Sequence, residues 1–480
     1  MPSAAAAERP WWWAAGALVL AITAARVATL ALSPMDLFVD EAQYWLWGQE
    51  LAFGYYSKPP MIGWVIRAAT ALGGSDAPFW VRLPGPLFHG VTAMVLGAIA
   101  ARLGGGRWGL WVAAGYATLP MVALASILIS TDTIMFPFLA LALMGYLRLT
   151  EGAGRGWAMA TGLFLGLAFL SKYAAIYYLL CAALAALLVP CARIGWRRAG
   201  QVALVFGLVI SPNLIWNAVN GFSTLQHTAD NADWVRDPAA RAGLDYAGMA
   251  EFFAAQFAVF GPVLFAGLLA MLAQVRAVSP VQRVLLVFSL PIVALICGQA
   301  LLSGAYANWA AAAYLAGSVA VLPWLTPRWR RASFAINGAV ALALPLAAIF
   351  ADRAGPATAR YMGRSALSTD IMTAARAEGS GTVIAESRQI LADLFYTGRD
   401  SGVSIFSVPP EGRPESHYAL KYPFPGGEAP VILALTGAAP PDCTPDAAPV
   451  ARIAPASGAY RGKTVSLYLV PGDCWTDRDP

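Results

Sequence analysis

The sequence predicts a polytopic α-helical membrane protein of about eleven transmembrane helices, followed by a small C-terminal α/β domain. Two observations carry this. Hydrophobic residues make up 58% of the 480 residues and charged residues 12%, against about 25% charge in a soluble domain. Apolar runs of about 20 residues, long enough to cross a bilayer, recur through the first three quarters of the chain and then stop. Backbone polar groups in lipid must be satisfied within the segment, so such runs are helices. The net charge of +5 comes from loop arginines. No basic cluster is interleaved with aromatics, which argues against a nucleic-acid partner.

The predicted spans are 11–32, 82–101, 108–126, 131–149, 157–171, 173–190, 200–217, 251–274, 281–301, 307–325 and 332–351. The first is too long for the apolar core of a signal peptide, and no small-residue cleavage site follows it. Arginines set the orientation: Arg102 and Arg107; Arg148 and Arg155; Arg193, Arg197 and Arg198; Arg276 and Arg283; Arg328, Arg330 and Arg331 fall in every second loop. The positive-inside rule places these loops in the cytoplasm. Loop 33–81, the turns at 127–130 and Lys172, loop 218–250, turn 302–306 and the tail then face the other side. The domain division expected is 1–351, a membrane domain carrying loop 33–81, and 352–480, a soluble one.

In loop 33–81, Tyr44, Trp45, Leu46 and Trp47 sit beside Gln43, Gln49 and Glu50, a pattern expected of a helix lying in the headgroup layer. Beyond 352 the apolar runs shorten to Thr382–Ala385, Val403–Val408, Val431–Leu435 and Val465–Val470, bounded by turn residues. These read as strands, with a helix over Gln389–Tyr396. Cys443 and Cys474 both lie in this outward tail, where a disulfide can form, and they are expected to pair.

Three charged constellations stand out in a chain so poor in charge. The first loop holds Asp36, Asp40-Glu41 and then Lys58 in Ser57-Lys58-Pro59-Pro60. Carboxylates can take the proton of an incoming hydroxyl, and cations can stabilise a departing phosphate. The competing reading has Asp40 capping the next helix and Lys58 touching headgroups. Ser130-Thr131-Asp132-Thr133 places an acid at the outer end of the fourth span, where it either caps that helix or faces an outward cavity. Leu170-Ser171-Lys172-Tyr173 sets a lysine against the charge bias, where it either snorkels or meets a phosphate at the membrane surface. His227 and Trp234 in loop 218–250 are candidates for an acceptor groove. Asp36, Asp40 and Glu41 are the candidate ligands for a divalent cation, since hard cations choose oxygen ligands.

Asp40-Glu41-Ala-Gln-Tyr-Trp-Leu-Trp and Gly54-Tyr-Tyr-Ser-Lys58-Pro-Pro-Met-Ile-Gly-Trp resemble the first outward loop of GT-C glycosyltransferases of the family 39 type. The likeness is greatest to the bacterial branch with the lipid A aminoarabinose transferases and the rhizobial core galacturonosyltransferases. Ser-Thr-Asp132-Thr, Leu-Ser-Lys172-Tyr, Ser211-Pro-Asn-Leu-Ile-Trp-Asn217 with Asn220-Gly-Phe, and Ala307-Asn-Trp309 are similar to further landmarks in the same order. The tail is covered through Ala385-Glu-Ser-Arg388-Gln. The resemblance implies an inverting glycosyltransferase in the bacterial inner membrane, with its site and tail facing the periplasm. Its donor would be a sugar on undecaprenyl or a related polyprenyl phosphate, and its acceptor lipid A or core, another envelope glycan, or a protein. No cofactor is required on this reading, and a divalent cation is the one candidate.

The resemblance also assigns roles. Asp40, with Glu41 and Asp132, forms the acidic set; Lys58 and Lys172 hold the donor phosphate. Gln43 stands where aminoarabinose transferases carry an arginine, so the missing contact would come from Arg82 or Arg26. Gln43, Tyr44, Tyr56, Asn217 and His227 are the candidates for the acceptor groove. The rival readings are a lipid-linked-sugar transporter or flippase, which predicts charges near the bilayer midplane and repeated broken helices, and an O-antigen-ligase-like enzyme.

Overall fold

The computed structural model describes residues 11–222, 224, 226, 227, 244–437 and 443–475; Trp234 lies outside them. The chain forms two compact units. One takes Met1–Ala31, Ser57–Ile62 and Arg82–Leu346; the other takes Leu32–Tyr56, Gly63–Val81 and Ala347–Pro480. Most of segment 33–81 therefore groups with the tail.

The first unit is helical. Among the described residues, six helices are long and apolar enough to cross a membrane: Trp11–Leu32, Pro78–Gly104, Thr131–Thr150, Trp196–Val219, Pro280–Leu302 and Pro327–Ile349. The other predicted spans fall on shorter or broken helices: Gly106–Ala117 with Pro120–Ala125, Arg155–Ser171, Tyr173–Leu188, Ala313–Trp324, and the pair Tyr246–Val259 and Pro262–Ala273. That last pair, expected as one straight span over 251–274, bends by 114°. The break has a local cause. Gly261 has φ 92° and Pro262 opens the next helix, so the ladder cannot continue through them. A Cβ at Gly261 would also run into the Asn337 amide.

Close helix approach rests on small residues, as expected where lipid supplies no hydrophobic drive. A Cβ on Gly145 would meet Thr161, and one on Gly162 would meet the Val202 carbonyl. The Thr131–Thr150, Arg155–Ser171 and Trp196–Val219 helices pack side by side for this reason. Some of the predicted arginine turns come together within this unit. Arg102 Nη2 and Arg148 Nη1 close on Glu151 at 2.6 and 2.8 Å, and Arg198 donates to the Gly152 carbonyl at 2.9 Å. Three arginine-bearing turns thus share one end. Asp132 lies at the other end of the Thr131–Thr150 helix, about 24 Å from Arg148 at about 1.5 Å per residue.

The second unit is built on a five-stranded sheet. Its strands are β1 (Thr382–Ala385), β2 (Ser404–Ser407), β3 (Val431–Thr436), β4 (Ala451–Ile453) and β5 (Val465–Val470), in the order β2-β1-β3-β5-β4. Strand β1 runs parallel to β2 and β3, whereas β5 runs antiparallel to β3 and β4. Ile384, Leu433 and Tyr468 fill one face. The Arg388–Thr397 helix crosses between β1 and β2, and Cys443 is bonded to Cys474 with Cα atoms 5.6 Å apart. Four of the five strands and the crossover helix match the predicted ones. Strand β4 has three residues, too few to show an alternation. The Arg364–Ala377 helix was also not foreseen, because its many polar residues obscure the apolar stripe.

The Val39–Gln49 helix corrects an expectation. Nine of its eleven residues, Val39 and Glu41–Gly48, are buried, so it is a packed element of this unit and not a helix lying open in the headgroup layer. It sits against the Arg388–Thr397 helix. Trp45 Nε1 donates to Asp76 Oδ1 at 2.8 Å, and Tyr396 Oη donates to the Asp76 carbonyl at 2.6 Å.

Candidate active site

The first unit gathers one charged cluster at the end opposite its arginine turns. Ser130 caps the Thr131–Thr150 helix by accepting from the Thr133 N–H at 3.4 Å. Asp132 is thereby left for a tertiary bond, which removes the reading of Asp132 as the cap. Lys172 follows the last residue of the Arg155–Ser171 helix, its own N–H closing onto the Ala168 carbonyl at 3.0 Å. Because these two helices are antiparallel, the start of one meets the end of the other. Lys172 Nζ donates to both carboxylate oxygens of Asp132, at 2.8 and 2.7 Å. The side chains are 19% and 9% exposed, so Lys172 is not a lysine snorkelling into water. Asn308 Nδ2 completes the group on Asp132 Oδ2 at 3.0 Å.

A neutral network borders this cluster. Tyr173 Oη donates to Asn213 Oδ1 at 3.0 Å and accepts from Asn217 Nδ2 at 3.1 Å. Asn217 is buried, and among the described residues its Oδ1 has no hydrogen-bond partner. Lys58 belongs to the same unit and is half-buried. Arg82 is buried at the end of the Pro78–Arg82 helix. Arg26, the other candidate for the missing contact, is buried. Its Nη2 donates at 2.6 Å to the carbonyl of Ala117, the last residue of the Gly106–Ala117 helix, where a cation complements the helix dipole. His227 is half-buried.

The second unit gathers another cluster on the Val39–Gln49 helix. Phe38 stands at its N-cap, and Glu41 reaches back to accept the Phe38 N–H at 2.9 Å. Glu41, not Asp40, caps this helix, which is one half of a capping box. Glu41 is thus a buried structural acid, and its place in the acidic set is corrected. Asp40 is 47% exposed and accepts from Arg388 Nη2 at 2.5 Å. Arg388 Nε also donates to Gln43 Oε1 at 2.9 Å. Asp40, Gln43, Tyr44 and Trp47 lie on one face through their i, i+3, i+4, i+7 spacing. The cation missing beside Gln43 is therefore present from the tail. Burial disfavours the Arg388 cation, but the Asp40 carboxylate together with Tyr418 and Tyr44 outweighs this and raises its pKa.

A buried clasp holds the segment that leads into this helix. Asp36 accepts from the Arg364 N–H at 2.8 Å and from Ser365 Oγ at 2.7 Å. Arg364 Nη1 reaches both oxygens of Asp393 at 3.2 and 3.1 Å, and Tyr460 Oη donates to Asp393 at 2.5 Å. Asp36, Asp40 and Glu41 thus have separate partners, and no group of three metal-ligating side chains gathers among the described residues. Of the expected groove residues, Gln43, Tyr44 and Tyr56 are buried like Asn217, and Tyr56 Oη donates to the Pro414 carbonyl at 2.9 Å. Internal hydrogen bonds hold Gln43, Tyr56 and Asn217, and Tyr44 packs on the Trp47 ring.

Known proteins place this arrangement. The family model described as dolichyl-phosphate-mannose-protein mannosyltransferase matches residues 57–216. The lipid A galacturonosyltransferase RgtD of Rhizobium johnstonii is 42% identical over 468 residues, covering 95% of this chain and 98% of that protein. Among solved structures, ArnT from Cupriavidus metallidurans bound to undecaprenyl phosphate superposes with a TM-score of 0.66 at 15% identity, covering 96% of this chain and 98% of that one. The apo state of the same protein gives 0.64 at 14% identity, covering 95% and 98%. Those structures share the fold, and the near full-length kinship with the galacturonosyltransferase extends it to the family. The chain therefore belongs to the GT-C glycosyltransferases and is a multi-pass membrane glycosyltransferase.

Proposed function

We propose that this enzyme transfers a uronic acid, of the galacturonic type, from a polyprenyl-phosphate donor to lipid A or its core at the periplasmic face of the bacterial inner membrane. The observation that carries the reading is the 42% identity, over nearly the whole of both chains, to a lipid A galacturonosyltransferase. A fold relative solved with undecaprenyl phosphate supports the donor class. The Cys443–Cys474 bond supports an oxidising compartment for the tail, and the shared arginine end supports a cytoplasmic side for those turns.

The chemistry is a direct displacement at the anomeric carbon, with inversion. The acceptor hydroxyl attacks as its proton passes to Asp40, and the bond from the anomeric carbon to the phosphate oxygen breaks. A base so placed contributes about 10²–10⁴-fold. Lys172, held by Asp132 and Asn308, and Lys58 steady the leaving polyprenyl phosphate, and Arg82 adds positive field. Asp132 acts by orienting Lys172 and not as a second base. No step here requires a metal.

Mass spectrometry of lipid A and core from cells with and without the gene tests the substrates. Loss of a single uronosyl residue from that lipid is the expected result. An unchanged lipid A and core, with the missing sugar on another glycan or a protein, would contradict the acceptor.

A further inference from the structure

We infer that Arg388, held against the Val39–Gln49 helix by Asp40 and Gln43, recognises the carboxylate of the uronic acid being transferred. The inference rests on the proposed donor class and names the residue that selects it. Arg388 opens the Arg388–Thr397 helix, where the helix dipole disfavours a cation. Its position is thus poor for helix stability and is offset by Asp40.

The hydrogen-bond geometry leaves the guanidinium half used. Nε and one N–H of Nη2 are spent on Gln43 and Asp40. These form the side edge of the fork. Among the described residues Nη1 makes no hydrogen bond, and the side chain is 43% exposed. Nη1 and the second N–H of Nη2 form the end edge, which is the edge that grips a carboxylate bidentately. Gln43 fixes the guanidinium plane, so the vacant edge is presented already oriented.

Among the described residues, Trp47 Nε1, His417 Nδ1 and Tyr418 Oη are buried without a hydrogen-bond partner. Trp47 shares the helix face of Asp40 and Gln43, and its ring meets His417 edge-on at 5.8 Å. His417 and Tyr418 both feel the Arg388 charge. Burial pushes the His417 pKa down to about 3, with Lys421 and Arg388 adding to the effect, so its ring is a neutral polar group. Native interiors leave few such atoms unsatisfied, but these lie fully buried, so contact with an incoming anion falls to the exposed edge of Arg388.

An anion at Arg388 has two sources, the sugar carboxylate and the donor phosphate, and the test separates them. Purified full-length enzyme is given two donors on the same polyprenyl phosphate, one carrying the uronic acid and one the matching neutral hexose. Wild type should favour the uronosyl donor in kcat/KM. Both rates should fall in Arg388→Gln, because Asp40 loses its partner, but the uronosyl-to-hexosyl ratio should drop about a hundredfold or more, as when a polar contact built into a site is lost. Arg388→Lys, which keeps the charge but not the fork, should recover part of that ratio. Equal losses on both donors, with thermal unfolding showing folded protein, would assign Arg388 to the phosphate or to positioning Asp40 and overturn the inference alone. A wild type that uses neither donor would overturn the proposed function together with it.

Discussion

Lys172→Ala should lower kcat/KM for sugar transfer by about 10²–10³-fold, the usual effect of removing one fixed donor that meets developing charge. The effect should fall on kcat, because the leaving phosphate gains charge only as the glycosidic bond breaks. Lys172 has three N–H donors, of which Asp132 takes two, so an incoming phosphate oxygen can be met without dismantling the pair. A structural role for this pair makes a different prediction. Breaking a buried ion pair costs about 3–5 kcal/mol, whereas replacing both partners by apolar groups is often neutral. The double variant Asp132→Leu/Lys172→Met should therefore regain thermal stability while remaining inactive. Recovery of transfer in the double variant would reduce the pair to a structural staple.

Asp393→Ala should destabilise the second unit by about 3–5 kcal/mol, because it strands the Arg364 guanidinium in the interior. The side chains of Arg364 and Asp393 are 4% and 2% exposed, so water cannot replace the lost carboxylate. Burial pushes the Asp393 pKa up to about 6, while Arg364 and Tyr460 pull it back. Asp36 hangs on the same Arg364 through its backbone N–H, and Asp36 precedes the helix that carries Asp40. Loss of the clasp should therefore appear twice: as a lower unfolding temperature, followed by Trp fluorescence, and as a lower kcat from a less ordered Asp40. Unchanged unfolding would show that the clasp contributes little.

Much of this architecture was legible in the sequence because membrane helices are read from apolar length. The short β1, β3 and β5 segments were legible because turn residues isolate them. The bend at Gly261-Pro262 was hidden in a continuous apolar run, since a glycine or proline within a membrane helix does not by itself break it. Asp40, Lys58, Asp132 and Lys172 stood out because charge is rare in this chain. Their partners did not. Asn308 meets Asp132 and Arg388 meets Asp40 across 176 and 348 residues, separations at which no periodicity gives a signal. Both had surfaced only as resemblance landmarks, in Ala307-Asn-Trp309 and Ala385-Glu-Ser-Arg388-Gln. Glu41 was misjudged because an acid two residues inside a helix start reads equally as a base or a cap, and only the Phe38 N–H decides it. A cation beside Gln43 was sought nearby in sequence, at Arg26 and Arg82, whereas it is Arg388 of the tail that is hydrogen-bonded to Gln43. The transporter reading does not survive the family assignment.

The account turns on Asp40 receiving the acceptor's proton. Single-turnover transfer by Asp40→Asn, in lipid nanodiscs with a saturating polyprenyl-phosphate uronic acid donor and lipid A as acceptor, tests this most directly. Asparagine keeps the size and an acceptor oxygen for Arg388 but cannot take a proton. The rate constant should fall by about 10²–10⁴-fold with donor affinity little changed. A rate within a few fold of wild type would contradict the account, and the base would have to be sought elsewhere.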